Sequence, residues 1–170
     1  MLITNYHVLE DEDILEGKEI EISLNNDRVN YKLLIDKNRK IFTNDIPYDV
    51  TIIEIRQEDN FEFIQFLEVD ENINKENPNE IYRKLYVYLL HYPSGFNAEY
   101  CLGKIKDIDM NDCHIEHLCQ TNNGSSGSPL INSENNKVMG FHKGKEENDE
   151  WNVGTYLKGP IEKFYEKNKK

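Results

Sequence analysis

The chain has 170 residues and a mass of 20.1 kDa, and its 32 acidic and 20 basic residues give a formal net charge of −12. This acidity argues against nucleic acid as a partner, because phosphate binding needs clustered lysine and arginine. No apolar run approaches the ~18 residues that cross a bilayer, and no signal peptide follows Met1, so we expect no membrane partner.

The cysteines are Cys101, Cys113 and Cys119, an odd number that lies in the second half of the chain. An odd count does not fit the paired disulfide framework of a small secreted protein. Reduced thiols in a cytoplasmic protein are therefore the favoured expectation, with secretion as the open alternative.

Short apolar and β-branched runs between polar turns predict an all-β protein, either a barrel or a sandwich. We predict strands over 19–24, 31–35, 50–55, 84–90, 100–105, 115–119, 130–132, 137–142 and 151–157, with a hairpin turn at 133–136. The polar stretch 70–84 lacks apolar periodicity and is predicted to connect two lobes. After Gly159-Pro160, apolar residues recur at helical spacing and predict a C-terminal helix.

Three stretches carry candidate chemistry. A hydrophobic strand end delivers His7, Asp49 stands just before a β-rich run, and Gly124-Ser125-Ser126-Gly127-Ser128 places a serine between two glycines. The serine motif alone is a weak signal, because such small residues more often form a plain turn. The order histidine, aspartate, serine is the one that chymotrypsin-like enzymes use, whereas subtilisins put the acid first and α/β-hydrolases put the serine first.

With these motifs in this order, the chain resembles the trypsin-like serine peptidases, and within them the glutamyl endopeptidase branch. Thr4-x-x-His7-Val8, Asp49-Val50 and Gly124–Pro129 resemble the family's histidine, aspartate and serine motifs, and His91-Tyr92-Pro93-Ser94-Gly95 resembles the turn that opens its second barrel. The resemblance covers nearly the whole sequence. It implies a single peptidase domain over 1–170 with a chymotrypsin-like double β-barrel, divided into a partial first barrel (1–69), a connector (70–83), a second barrel (84–158) and a C-terminal helix (159–170).

The start of the chain departs from the family pattern. Six residues precede His7 where family members have further strands, so we expect the first barrel to lack its N-terminal strands. Either the chain is a truncated product, or another chain supplies the missing edge, or the edge stays open. An open edge exposes unpaired backbone groups, and we expect association through it.

The resemblance implies a serine endopeptidase that acts on a peptide or protein substrate without metal or cofactor. Ser126 would be the nucleophile, His7 its general base, and Asp49 the carboxylate that orients the imidazole. Asp45 is a weaker rival for Asp49, because it stands before Ile46-Pro47, where a turn is more natural. The backbone N–H groups of Gly124 and Ser126 are expected to form the oxyanion hole.

Residues around the serine address activation and specificity. Ser125 replaces the aspartate that digestive members use in zymogen activation, so no such activation is expected. Gln120 is neutral, which disfavours cleavage after lysine or arginine. Thr121 and His142 match glutamyl endopeptidase positions and are expected to bind a substrate carboxylate, with charge added by Lys143 or Lys145. The alternative for His142 is an ordinary polar strand residue.

The remaining candidate groups have simpler explanations. Cys113, His114, His117 and Cys119 are of metal-ligand type, but on a strand His114 and His117 would point apart, so we expect no metal site. The alternative function is a catalytically inactive trypsin-like β-barrel that serves as a binding or sensing module of a larger protein.

Overall fold

β-Strands make up most of the regular structure in the computed structural model, which describes residues 1–24, 29–61, 64–95, 97–145 and 150–169. The strands are β1 (Leu2–Thr4), β2 (Glu19–Leu24), β3 (Val29–Leu34), β4 (Ile41–Asn44), β5 (Val50–Ile53), β6 (Tyr86–His91), β7 (Glu99–Asp109), β8 (His114–His117), β9 (Pro129–Asn132), β10 (Val138–Lys145) and β11 (Asn152–Tyr156). The α-helices are α1 (Pro78–Tyr82) and α2 (Lys158–Lys167). The all-β prediction is confirmed.

The first lobe is an open structure. Strands β1, β5 and β4 form an antiparallel sheet in that order, and β2 pairs with β3 as a separate hairpin. Leu2 lies opposite Ile53 in the register of β1 and β5. The other edge of β1 pairs with no strand within the described residues. Association through this edge remains a prediction.

Strand β5 lies between two hydrophobic cores, because alternate side chains of a strand face opposite ways. Ile52 packs into the large core that also contains Leu130 of the second lobe. Ile53 packs with Leu33 and Phe61 in a smaller core of the first lobe. All four residues of β5 are buried, so the strand that follows Asp49 is held from both sides.

The second lobe is a closed six-stranded antiparallel barrel with the strand order β10-β11-β8-β7-β6-β9. Its interior is filled by large apolar side chains with almost no exposure: Val87, Leu89, Ile105, Ile115, Leu130, Met139 and Tyr156. The segment between β8 and β9 carries Ser126. A closed barrel thus provides a rigid support for the loop whose serine was predicted to react.

The connector between the lobes is anchored by Asp70, which is fully buried. Its carboxylate accepts hydrogen bonds from the side-chain amides of Asn132 and Asn135 at 2.9 and 3.0 Å and from the backbone N–H of Asn72 at 3.0 Å. Burial alone would raise the pKa of Asp70, but these donors outweigh it and hold the pKa below its usual value. A buried carboxylate thus ties the connector to the β9–β10 hairpin.

Helix α2 begins at Lys158, close to the predicted start, and buries Phe164 against the barrel. Helix α1 lies inside the connector, where no element was predicted, and β4 was likewise missed. No helix within the described residues is long and apolar enough to cross a membrane.

Candidate active site

The structure brings together His7, Asp49 and Ser126 where the two lobes meet. His7 lies in the turn after β1, Asp49 directly precedes β5, and Ser126 lies in the loop before β9. His7 Nδ1 is 2.8 Å from Asp49 Oδ2, and His7 Nε2 is 2.9 Å from Ser126 Oγ. Because Nδ1 faces a carboxylate, the ring proton belongs on Nδ1, and Nε2 is then free to accept the serine proton.

The loop that presents Asp49 is held by bonds from both lobes. Asp49 has a left-handed φ of 47°, which is uncommon for a residue with a side chain. The N–H of Tyr48 donates to Asn44 Oδ1 at 2.9 Å, and the N–H of Asp49 donates to the Asp45 carbonyl at 2.8 Å. Thr155 of β11 donates its hydroxyl to the Tyr48 carbonyl at 2.7 Å. The rival Asp45 is exposed. It supports the loop through its backbone carbonyl, whereas Asp49 provides the carboxylate that faces His7.

Asn5 is a member of this site that the sequence did not reveal. Its side-chain amide donates to the Asp49 carbonyl at 3.2 Å and to Asp49 Oδ2 at 3.1 Å, and the residue is fully buried. The available signal was a polar amide at an otherwise apolar strand end, two residues before His7.

The loop before Ser126 has the geometry of an anion-binding turn. The N–H of Ser94 donates to the Asn123 carbonyl at 2.6 Å. Since the C=O and N–H of one trans peptide point in opposite directions, this bond turns the N–H of Gly124 away from Ser94. Within the described residues, the N–H groups of Gly124 and Ser126 donate to no acceptor. These are the two groups that were predicted to bind an oxyanion.

The position of Ser125 differs from that of its neighbour Ser126. Ser125 is fully buried, and its hydroxyl oxygen accepts from the N–H of Asn122 at 3.2 Å and lies 2.7 Å from His91 Nδ1. The His91 partner was not predicted, although the sequence had singled out its turn. Ser125, which stands where digestive members carry an aspartate, therefore links the serine loop to β6 through its side chain.

The predicted specificity residues lie beside the serine loop. The N–H of Gly127 donates to the His142 carbonyl at 3.0 Å, and the N–H of His142 donates to the Ser128 carbonyl at 2.8 Å. Thr121 Oγ1 donates to Asn152 Oδ1 at 3.0 Å, because the amide nitrogen of Asn152 is engaged with the Cys119 carbonyl at 2.6 Å. In this structure the Thr121 hydroxyl therefore donates its proton to Asn152 and not to a substrate.

His142 and His117 form a buried pair that fixes the proton positions of both rings. The N–H of Cys119 donates to His117 Nδ1 at 3.3 Å, so the His117 proton must be on Nε2. His117 Nε2 lies 3.2 Å from His142 Nδ1, which must accept this proton. The His142 proton is therefore on Nε2. His117 was predicted to diverge from His114, and its bond to His142 was missed.

Both imidazoles of this pair are neutral at physiological pH. Burial, followed by the neighbouring His142, lowers the pKa of His117 to about 3. Burial, followed by His91 and His7, lowers the pKa of His142 to about 4. Each is well below the ordinary value of 6.5. His142 thus presents a neutral N–H donor.

The other predicted contributors have different surroundings. Lys143 Nζ donates to the Pro47 carbonyl at 3.4 Å, which bridges the two lobes, and Lys145 is exposed. Cys101, Cys113 and Cys119 are free thiols. In the part of the chain that the structure describes, no group of three or more His, Cys, Asp or Glu side chains is placed to hold a metal ion.

Comparison with known proteins defines the class. A family model described as "Trypsin-like peptidase domain" matches residues 1–141, and a search of curated proteins found no match. The serine endoprotease from Yersinia pestis shares 18% identity at a TM-score of 0.67, and the alignment covers 97% of this chain and 52% of that one. An inactive serine-to-alanine mutant of Rv3671c from M. tuberculosis H37Rv shares 17% identity at a TM-score of 0.67, covering 99% and 78% of the two chains.

The open first lobe, the closed second barrel and the C-terminal helix define an all-β protein of the chymotrypsin-like fold, as predicted. Because the family model matches residues 1–141, the chain belongs to the trypsin-like peptidase domain family. It spans about half the length of the Yersinia pestis endoprotease that it resembles.

Proposed function

We propose that this chain is a serine endopeptidase that hydrolyses peptide bonds through an acyl-enzyme on Ser126. The observation that carries the proposal is the continuous hydrogen-bonded chain from Asp49 Oδ2 through the His7 ring to Ser126 Oγ, with distances of 2.8 and 2.9 Å. Serine needs a base within hydrogen-bonding reach, and the base needs a carboxylate on its far nitrogen.

The reaction follows from these contacts. Ser126 Oγ attacks the substrate carbonyl carbon while its proton passes to His7 Nε2, and Asp49 stabilises the imidazolium that forms. The N–H groups of Gly124 and Ser126 bind the tetrahedral oxyanion. His7 then protonates the leaving amine, and a water molecule, deprotonated by His7, releases the acyl group. His7 has a side chain that is 48% exposed, so substrate and water can reach it, whereas the Asp49 side chain is 6% exposed.

We further propose a preference for glutamate or aspartate on the acyl side of the cut bond. The support is the proton arrangement of the histidine pair, which presents His142 with its proton on Nε2 and its Nδ1 occupied by His117. An N–H donor binds a carboxylate well in a buried site. Because the Thr121 proton is engaged with Asn152, His142 is the main donor in this proposal, and Thr121 would assist only after its hydroxyl turns.

Hydrolysis of quenched-fluorescent peptides tests the first proposal. We expect Ser126→Ala to lower kcat/KM by about 10⁴- to 10⁶-fold, because members of such a constellation act as a unit. Ser133→Ala is the matched control, since Ser133 follows β9, whereas Ser126 precedes it, and its hydroxyl bonds to the Tyr86 carbonyl. Full turnover in the Ser126→Ala protein would remove the proposal.

A peptide series that varies the acyl-side residue tests the preference. His142→Ala should reduce cleavage after glutamate by roughly ten- to a hundredfold while cleavage after leucine changes little. Retained cleavage after leucine also shows that the variant is folded. His114→Ala, a half-buried histidine of β8, is the control. Equal cleavage after acidic and neutral residues by the unmodified protein would contradict the acidic preference but not the proposed peptidase activity.

A cytoplasmic location remains part of the proposal.

A further inference from the structure

Asn5 is buried against the carboxylate that orients the proposed base. Its Nδ2 lies 3.1 Å from Asp49 Oδ2 and 3.2 Å from the Asp49 backbone carbonyl, so a single amide group contacts both the side chain and the main chain of one residue. The same Oδ2 is the atom that faces His7 Nδ1 at 2.8 Å. Asp49 Oδ1 is occupied separately by the backbone N–H of His7 at 3.0 Å.

The orientation of the Asn5 amide is set by its neighbours. The reversed amide would place its oxygen against a carbonyl oxygen and a carboxylate oxygen, which repel it. In the observed orientation Asn5 Oδ1 is buried and has no hydrogen-bond partner among the residues that the structure describes. Such an orphaned acceptor destabilises a fold, so packing alone does not account for an asparagine here.

Asp49 also requires external support. It occupies a left-handed backbone conformation at φ 47°, which a non-glycine residue adopts only when its surroundings hold it. The turn after β1 places Asn5 in position to provide this, because the Asn5 carbonyl accepts from the N–H groups of Val8 and Leu9, both at 3.2 Å. The turn after β1 thus positions both the Asn5 amide and the His7 imidazole, which contact the same oxygen of Asp49.

We infer that Asn5 is a positioning residue for the proposed acyl transfer: its amide holds the Asp49 carboxylate in the orientation that bonds to His7. This inference rests on the proposed function and assigns Asn5 no contact with substrate. The expected consequence is an effect on kcat and on the pH profile, with KM left nearly unchanged because Asn5 is fully buried.

Two variants separate positioning from packing. Asn5→Leu keeps the branched shape but removes the donor, and kcat should fall by roughly ten- to a hundredfold while KM changes by less than about twofold. Asn5→Asp places a second carboxylate beside Asp49, where two such groups share one proton. The shared proton can donate as the amide did, so the activity of this variant relative to the unmodified protein should be highest at acidic pH and should fall as the pH rises.

The control is Tyr6→Phe, which removes a hydroxyl that bonds to Asp11 at 3.3 Å on the surface. Its kcat should equal that of the unmodified protein. If the unmodified protein hydrolyses peptides and Asn5→Leu retains full kcat with an unshifted profile, the role of Asn5 is overturned and the proposed function stands.

A readout without turnover covers the case in which the unmodified protein does not hydrolyse peptides. The proton between His7 Nδ1 and Asp49 should give a far-downfield proton NMR signal that His7→Gln abolishes. If Asn5→Leu remains folded and loses this signal to solvent exchange, the holding role is supported whatever the activity. An unchanged signal in Asn5→Leu would overturn it.

Discussion

Replacement of Gly124 by alanine tests the proposed oxyanion hole. Gly124 has φ +87°, a left-handed conformation that costs a residue with a side chain about 1–2 kcal/mol. A Cβ at this position would lie 2.9 Å from the Tyr92 carbonyl oxygen and 3.2 Å from the backbone nitrogens of Ser94 and Gly95. All three are backbone atoms of one turn, so no flexible side chain can move aside, and the peptide before Gly124 must rotate or shift.

A displaced N–H cannot bind the oxyanion, and loss of one such donor typically lowers turnover by ~10²–10³-fold. We expect Gly124→Ala to show this loss in kcat for peptide and ester substrates. Gly17→Ala is the matched control, because Gly17 has φ +90° with open space around its Cβ position. In urea unfolding Gly17→Ala should lose about 1–2 kcal/mol from the same backbone strain, and it should retain activity. Full turnover in Gly124→Ala would show that the Gly124 N–H does not bind the oxyanion.

Other predictions concern the buried polar groups. His117→Leu removes the N–H that bonds to His142 Nδ1, so the His142 proton is no longer held on Nε2, and cleavage after glutamate relative to leucine should fall by roughly two- to tenfold. His117→Gln keeps a donor and should leave this ratio unchanged. His117 and His142 both have pKa values below 6.5 in the folded protein, so their contribution to the free energy of unfolding should be complete above about pH 6.5. On acidification towards pH 4, the free energy of unfolding should fall by up to ~1.4 kcal/mol per pH unit for each histidine. Urea unfolding of His117→Leu should show a shallower fall with pH, and a fall identical to that of the unmodified protein would contradict this prediction. Asp70→Ala should lower the free energy of unfolding by about 2–4 kcal/mol, because it removes the acceptor of three hydrogen bonds, one of them from the buried Asn132. The exposed Asp112→Ala should change it by less than about 0.5 kcal/mol, and equal effects would show that the connector does not depend on the Asp70 carboxylate.

The sequence predicted the strands of the second lobe well, because alternating apolar residues between polar turns are a local signal. β4 was missed because Ile41–Asn44 is short and follows the charged Arg39-Lys40, and it becomes a strand by pairing with β5. Helix α1 was missed because its five residues have no apolar periodicity, although Pro78 at its first turn is a start signal.

The candidate site likewise contains residues that the sequence predicted and residues that it missed. His7, Asp49 and Ser126 stand in motifs whose chemistry is encoded in a few adjacent residues. Asn5 and His117 were missed as site members because their roles depend on partners 44 and 25 residues away in sequence. Such contacts arise from the packing of β1 on β5 and from the closure of the second barrel, and one sequence does not display them.

Covalent labelling tests whether Ser126 is an activated nucleophile. The protein would be treated with a fluorophosphonate, which reacts with activated serines, and the modified residue located by peptide mass mapping. We predict one label per chain on Ser126, with labelling lost in His7→Ala because the base is then absent. An unlabelled protein, or a label on Ser125 or Ser128, would show that Ser126 is not the activated nucleophile.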